Sequence, residues 1–215
     1  MNLQKLQKHN PQYVIKSIYD PAFQTYGKVR DEKVEEAIQY VTANVQPPQN
    51  GNCYIASDEE LEKLPEIQRL SQKIYGYLDV MAGTVSGDND VLNGIEYHQC
   101  SETIIAVSDY VLVVGHVWDM QGKIYNSSLC ECFYVPQGTV VEIYSTTLHY
   151  TPMRVEEKFQ TICLLLRGTG DACEREGILK KKNKWFIAHP DNTEKVEAGD
   201  YPGLIGPMIK LKYDE

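Results

Sequence analysis

The sequence predicts a mainly β fold: a barrel or sandwich of short strands with an α-rich N-terminal extension. From residue 84 onward, β-rich runs alternate with turn residues at short spacing. Before residue 84, apolar residues recur mostly at helical spacing. The chain has 215 residues and is 42% hydrophobic, enough for one sizeable core. Residues 1–215 are therefore expected to form a single domain, with 1–83 packed on a barrel made of 84–215.

Each element has its own signal. Leu3 and Leu6 mark a short helix ending before Asn10-Pro11. Tyr13 to Tyr19 is a strand candidate stopped by Asp20-Pro21. Asp31 is an N-cap candidate, and Val34, Ala37, Ile38 and Val41 follow at helical spacing, so a helix is expected over 31–43. A loop rich in Pro and Gly leads to a short strand over 53–56. Ser57-Asp58-Glu59-Glu60 opens a second helical region, with acidic residues where the helix dipole favours them. It runs unevenly past Pro65 to Gly76. Further strands are expected over 95–99, 103–107, 110–114, 129–135, 140–144, 159–166, 184–188 and 208–212.

Charge and cysteine usage narrow the classes. A net charge of −9 with no basic stripe argues against nucleic acid as a partner. The run Lys180-Lys181-Lys182 is short and is taken as a solvated turn. No apolar run approaches the roughly 20 residues of a membrane span. The polar residues 1–10 carry no signal-segment pattern, so a cytoplasmic protein with its 6 Cys reduced is expected. Cys130-Glu131-Cys132 lacks the spacing of a zinc or redox pair.

The chemistry concentrates between Gly94 and Pro152. Glu96, His98, Cys100 and Glu102 fall at every second position, which puts them on one face of an extended chain. Carboxylates and an imidazole on one face suit a divalent metal. Glu142 and His149 supply another of each. Glu142 sits in the apolar run 140–144, alternating with Val140 and Tyr144. It must face either solvent or a polar lumen, and in a lumen it needs a cation. The expected metal ligands are thus His98, Glu102, His149, Glu96 and Glu142. Mn, Fe(II), Zn and Ni all suit such a set. Glu142 or Glu96 is expected to move a proton, with Tyr144 and Lys184 binding substrate oxygens. Lys184 alternates with Phe186, and Trp185 and His189 take the opposite face, so one of those sets faces inward. His9 is expected on a polar helix, His116 at a strand rim and His189 at a strand end.

These residues carry a family resemblance. Gly94, Glu96-x-His98, Glu102 and Gly115 resemble the first motif of the cupin superfamily, with Glu96 standing where a first His is usual. Pro136-x-Gly138 resembles the second motif. Its His is absent at the usual short distance, and His149 comes later, as in the ureidoglycolate-lyase branch. Nearly the whole chain, including Asn183 to Pro190, resembles an uncharacterised bacterial cupin family of unknown function. The resemblance implies a cupin-type β-barrel (double-stranded β-helix, jelly roll), a metal held by His98 and Glu102 and, by position, Glu96, and a homodimer.

The expected function is a metal-dependent isomerase or lyase acting on a small sugar or sugar-acid-like hydroxy-carbonyl compound. In this scheme Glu142→Gln abolishes turnover without unfolding. The alternatives are an iron-dependent oxygenase, a non-catalytic sugar- or small-molecule-binding cupin, and a metal-free structural barrel.

Overall fold

The computed structural model describes residues 1–213. Eight strands form two facing sheets: β1 (Val80–Gly87), β2 (Gly94–Tyr97), β3 (Glu102–Ala106), β4 (Tyr110–His116), β5 (Glu131–Val135), β6 (Val140–Ile143), β7 (Thr147–His149) and β8 (Phe159–Leu166). One sheet has the order β1-β8-β3-β6 and the other β2-β7-β4-β5. All six of these pairings are antiparallel. The chain crosses repeatedly between the sheets, and the result is the two interlocked Greek keys of a jelly roll. The mainly β expectation holds.

The N-terminal part is more than a helical extension. Ile15–Ser17 pairs in parallel with β5, Gly27–Arg30 pairs with β6, and Asn52–Ile55 pairs with β1. Lys184–Ala188 pairs with β2 on the far side, followed by Leu179–Lys181. These additions cover barrel strands that would otherwise be open edges. Residue 83, the expected boundary, lies inside β1. That strand escaped prediction because Ala82, Gly83, Ser86 and Gly87 have low β propensity. Gly83 is there for close approach: a Cβ would stand 1.8 Å from the Ile55 carbonyl oxygen.

The helices begin and end for identifiable reasons. Helix α1 is Leu3–His9, capped by the Asn2 side chain. The second helix, α2 (Glu35–Asn44), starts later than expected and Asp31 does not cap it. The uneven stretch resolves into α3 (Glu59–Glu62), capped by Asp58, and α4 (Pro65–Tyr75). Pro65 opens α4, where a missing N–H costs nothing, and Gly76 closes it at φ +58°.

Three apolar layers result. Alternation sends Ile104, Ala106, Leu112, Val114, Phe133 and Val141 into the space between the sheets. The opposite face of the β1-β8-β3-β6 sheet buries Ile105, Val140, Ile162 and Leu164 under α2 and α4. The outer face of the other sheet buries Ile95, Val111 and Val113 against Leu6 and the C-terminal Leu204 and Ile209. Each fully buried Val, Leu, Ile or Phe among them contributes roughly 1.5–3 kcal/mol of transfer free energy. No helix among the described residues is long and apolar enough to cross a membrane.

Candidate metal centre

The inter-sheet core is apolar at one end and polar at the other. At the polar end β2 presents Glu96 inward. The chain then leaves the strand at His98, turns through 99–101, and re-enters as β3 in the facing sheet with Glu102. Glu96 and Glu102 therefore do not share a strand face. They meet across the barrel. Cys100, in the turn, packs against the helix-covered core instead. His149 on β7 stands directly opposite Glu96 in register.

The four groups converge. Glu96, His98 and His149 each offer a ligand atom within 4.8 Å of the others. Glu102 Oε2 lies 2.9 Å from His149 Nε2 and 3.4 Å from His98 Nε2. Glu96 Oε1 is 3.9 Å from His98 Nε2. Both imidazoles are aimed from behind. The His98 Nδ1–H donates to the Asn183 carbonyl at 2.8 Å, and the His149 Nδ1–H donates to the Thr147 carbonyl at 3.2 Å. Each ring thus turns Nε2 into the cavity, the arrangement that metal-binding histidines use. Two imidazole nitrogens and two carboxylates fit a divalent transition ion.

The metal-free charge balance agrees with that fit. Burial alone would raise Glu102, but the hydrogen bonds and charges of His149 and His98 hold it far below the usual carboxylate range. Burial alone would lower His149, yet Glu102 and Glu96 raise it above an ordinary imidazole. The two carboxylates thus favour a positive charge on His149, the sign of charge that a metal would bring. Glu96 is also held low: burial opposes ionisation, and Lys184, His98 and His149 outweigh it.

Lys184 takes the inward face with Phe186. Its ammonium sits 2.5 Å from Glu96 Oε2. Trp185 faces outward and stacks on Tyr97 at 5.1 Å. The cavity above the cluster measures about 280 Å³. Its wall includes three residues that the sequence reading did not place at the site. Tyr54 comes from the edge strand, and burial and the nearby Cys163, Glu102 and Glu96 push its phenol upward. Cys163 comes from β8, with its thiol pushed well up by burial. Lys180 comes from the hairpin strand beside Lys184–Ala188.

Two expected residues are elsewhere. Glu142 pairs in register with Thr103 and Lys28, on the face turned away from the lumen, and Arg30 holds it (Nε–Oε2 2.8 Å). Neither a metal ligand nor the base, it is satisfied by that guanidinium. Its neighbour Tyr144 lies past the end of β6, beside Tyr19 and Lys28, outside the metal cavity. His116 stacks between Tyr26 and Trp118 at the barrel's rim. The buried His189 Nε2–H donates to the Gly206 carbonyl at 2.9 Å and plays a structural part.

The fold and site define a jelly-roll barrel with a candidate metal centre at one end. A family model described as Domain of unknown function (DUF4867) matches residues 15–209, and the chain belongs to that family. No curated protein sequence matches it. Among solved structures it is similar to a cupin-like protein from Thermotoga maritima (11% identity, 72% of this chain and 96% of the other, TM-score 0.38). It is also similar to a variant of Bacillus subtilis oxalate decarboxylase (11% identity, 66% and 36%, TM-score 0.32). A third is the cobalt(II) form of HppE in complex with Tris buffer (12% identity, 57% of each chain, TM-score 0.31). The chain spans well under half the length of the oxalate decarboxylase chains it matches, 39% in one of them. At this level of likeness the fold assignment rests on the strand order itself.

Proposed function

We propose that this chain is a metal-dependent cupin enzyme, an isomerase or lyase acting on a small hydroxy-carbonyl compound such as a sugar or sugar acid. The observation that carries it is the convergence of Glu96, His98, Glu102 and His149 at the floor of one cavity, with Lys184 beside them. A divalent ion held by His98, His149 and Glu102 would supply Lewis acidity that polarises a carbonyl and acidifies the neighbouring C–H. Glu102 is engaged by both histidines and serves to hold the site. Glu96 is the base. Lys184 pairs with its Oε2, its Oε1 faces His98 Nε2 at 3.9 Å and in this reading is left uncoordinated, and its lowered pKa keeps it ionised at neutral pH. The same carboxyl then returns the proton to the adjacent carbon in an isomerase. The Lys184 ammonium has two further N–H groups with which to hold a substrate oxygen. Apolar wall residues such as Ile104, Leu165 and Phe186 limit water at the reacting atoms. The late position of His149, which resembles the ureidoglycolate-lyase branch in sequence, favours the lyase form of this reading. A cytoplasmic homodimer belongs to the same reading.

Deuterium exchange tests it. Metal-loaded protein is incubated in deuterium oxide with hydroxy-ketones, aldoses and keto acids, and the carbon beside the carbonyl is followed by NMR. Exchange is expected, and Glu96→Gln should suppress it with the ion still bound. Absence of exchange and turnover across the panel would leave a binding protein instead.

A further inference from the structure

The cavity carries a charge opposite to that of the chain. The whole chain has a net charge of −9. Among the described residues, the cavity wall holds four lysines (Lys180, Lys181, Lys184, Lys195) against two carboxylates, Glu96 and Glu102, and no aspartate or arginine. Moreover, two of these lysines share their carboxylates with other cations. Lys180 and Arg175 both pair with Asp200, whose side chain is only 1% exposed. Lys184 pairs with Glu96, which also faces the imidazoles of the metal cluster. Neither carboxylate can neutralise all the positive charge around it. A divalent ion balanced by Glu96 and Glu102 adds no net negative charge, so the lysine excess persists in the loaded site. Lys180 is also fixed in direction: its ammonium lies 4.4 Å from the centre of the Phe186 ring, which forms part of the wall.

We infer that the ligand of this cavity is a small anion, a hydroxy or keto acid whose carboxylate rests on the wall of Lys180, Lys184 and Lys195. For the position of its carbonyl or hydroxyl end, toward His98 and His149, the inference rests on the enzyme reading above. A cavity of about 280 Å³ has room for a molecule on the order of ten non-hydrogen atoms. An acid of four or five carbons fits that size. The lysine pair at 180 and 181, which looks like a solvated turn in the sequence, is placed at the mouth by the hairpin that joins Leu179–Lys181 to Lys184–Ala188.

The test compares an acid with its neutral counterpart. Manganese-loaded protein is titrated calorimetrically with threonate and with threitol, and its metal content is measured alongside. Threonate is expected to bind at least tenfold more tightly. Lys180→Gln should remove that preference and Lys195→Gln should reduce it, both at unchanged metal content. Among the described residues Lys195 has only its exposed neighbour Glu194 as an ion-pair partner, so its variant keeps the test open if Lys180→Gln misfolds. Equal binding of acid and polyol overturns the inference and leaves the metal reading intact. A preference for threonate that survives both substitutions also overturns it, because the acid is then chelating the ion alone. If no divalent ion loads, the enzyme reading fails. The same titration of metal-free protein then decides the anion wall by itself: binding lost in Lys180→Gln keeps it, and no binding removes it.

Discussion

Glu96 and His149 stand directly opposite one another on neighbouring antiparallel strands. Opposed pairs of this kind hold their Cβ atoms roughly 4.5–5.5 Å apart. The ladder therefore fixes half of the metal cluster before any side chain chooses a rotamer. His98 and Glu102 complete it from a strand end and from the facing sheet. Protein purified without chelator is expected to carry close to one divalent ion per chain by mass spectrometry. A His98→Ala/His149→Ala double variant should lose that ion and keep its β circular dichroism, since the remaining core is apolar.

Glu142 should behave as a structural residue. Its partner is Arg30, and both side chains are less than one-third exposed. Glu142→Gln is expected to leave metal content and turnover unchanged. It should lower stability by about 1–2 kcal/mol, less than a fully buried charged hydrogen bond, because Arg30 stays partly hydrated. Chemical denaturation checks the second figure. A Gln variant that loses its metal would return Glu142 to the site.

The contrast between Glu142 and Glu102 marks the limit of what alternation can show. Both sit in apolar β runs and both are buried. Sequence alternation separates the two faces of a strand, and a buried carboxylate was expected to mean a lumen. Here the outer face of the sheet is covered too, by α2 and α4 and by the Gly27–Arg30 strand, so a buried outward position exists. Glu96, His98 and Glu102 were identified together from alternation along one extended chain, which by itself would hold Glu96 and Glu102 roughly 20 Å apart; they converge because the chain turns at 99–101 and enters the facing sheet. Lys184 was legible once Phe186 was known to face inward. Tyr54, Lys180 and Lys195 were not, since they reach the mouth from an edge strand and from C-terminal segments far away in sequence. Only the fold brings them there.

The metal-free site has a pH window of its own. Glu102 is held below its unfolded value of 4.5, so the stability it contributes is present above that pH and fades as pH falls through the lowered value. His149 is raised above its unfolded value of 6.5, so its contribution is complete below that pH and is lost as pH rises through the raised value. Chelator-treated protein should therefore gain most from this pair between about pH 4.5 and 6.5. Metal needs His149 neutral, so loaded protein should run the other way. Apparent metal affinity is expected to fall about tenfold per pH unit below the His149 value. Melting curves with and without chelator across pH 4–8 would show the two profiles crossing. Parallel profiles would exclude His149 as a ligand.

Gly94 controls how far the cavity wall can lean inward. It pairs with Ala188 at the start of β2, and a Cβ there would stand 2.5 Å from Phe186 Cζ and 3.4 Å from Tyr150 Cζ. The clash is with a ring edge, which can swing, so Gly94→Ala should fold at a cost of about 1–3 kcal/mol. The ring then moves into space that a ligand would use, while Glu96, His98, Glu102 and His149 keep their places. Metal content is expected to stay unchanged and threonate affinity to fall. Phe186→Leu in the same chain should restore part of both losses by giving the new methyl group room. A Gly94→Ala protein that loses its metal as well would mean that β2 itself has shifted, and with it the Glu96–His149 pairing.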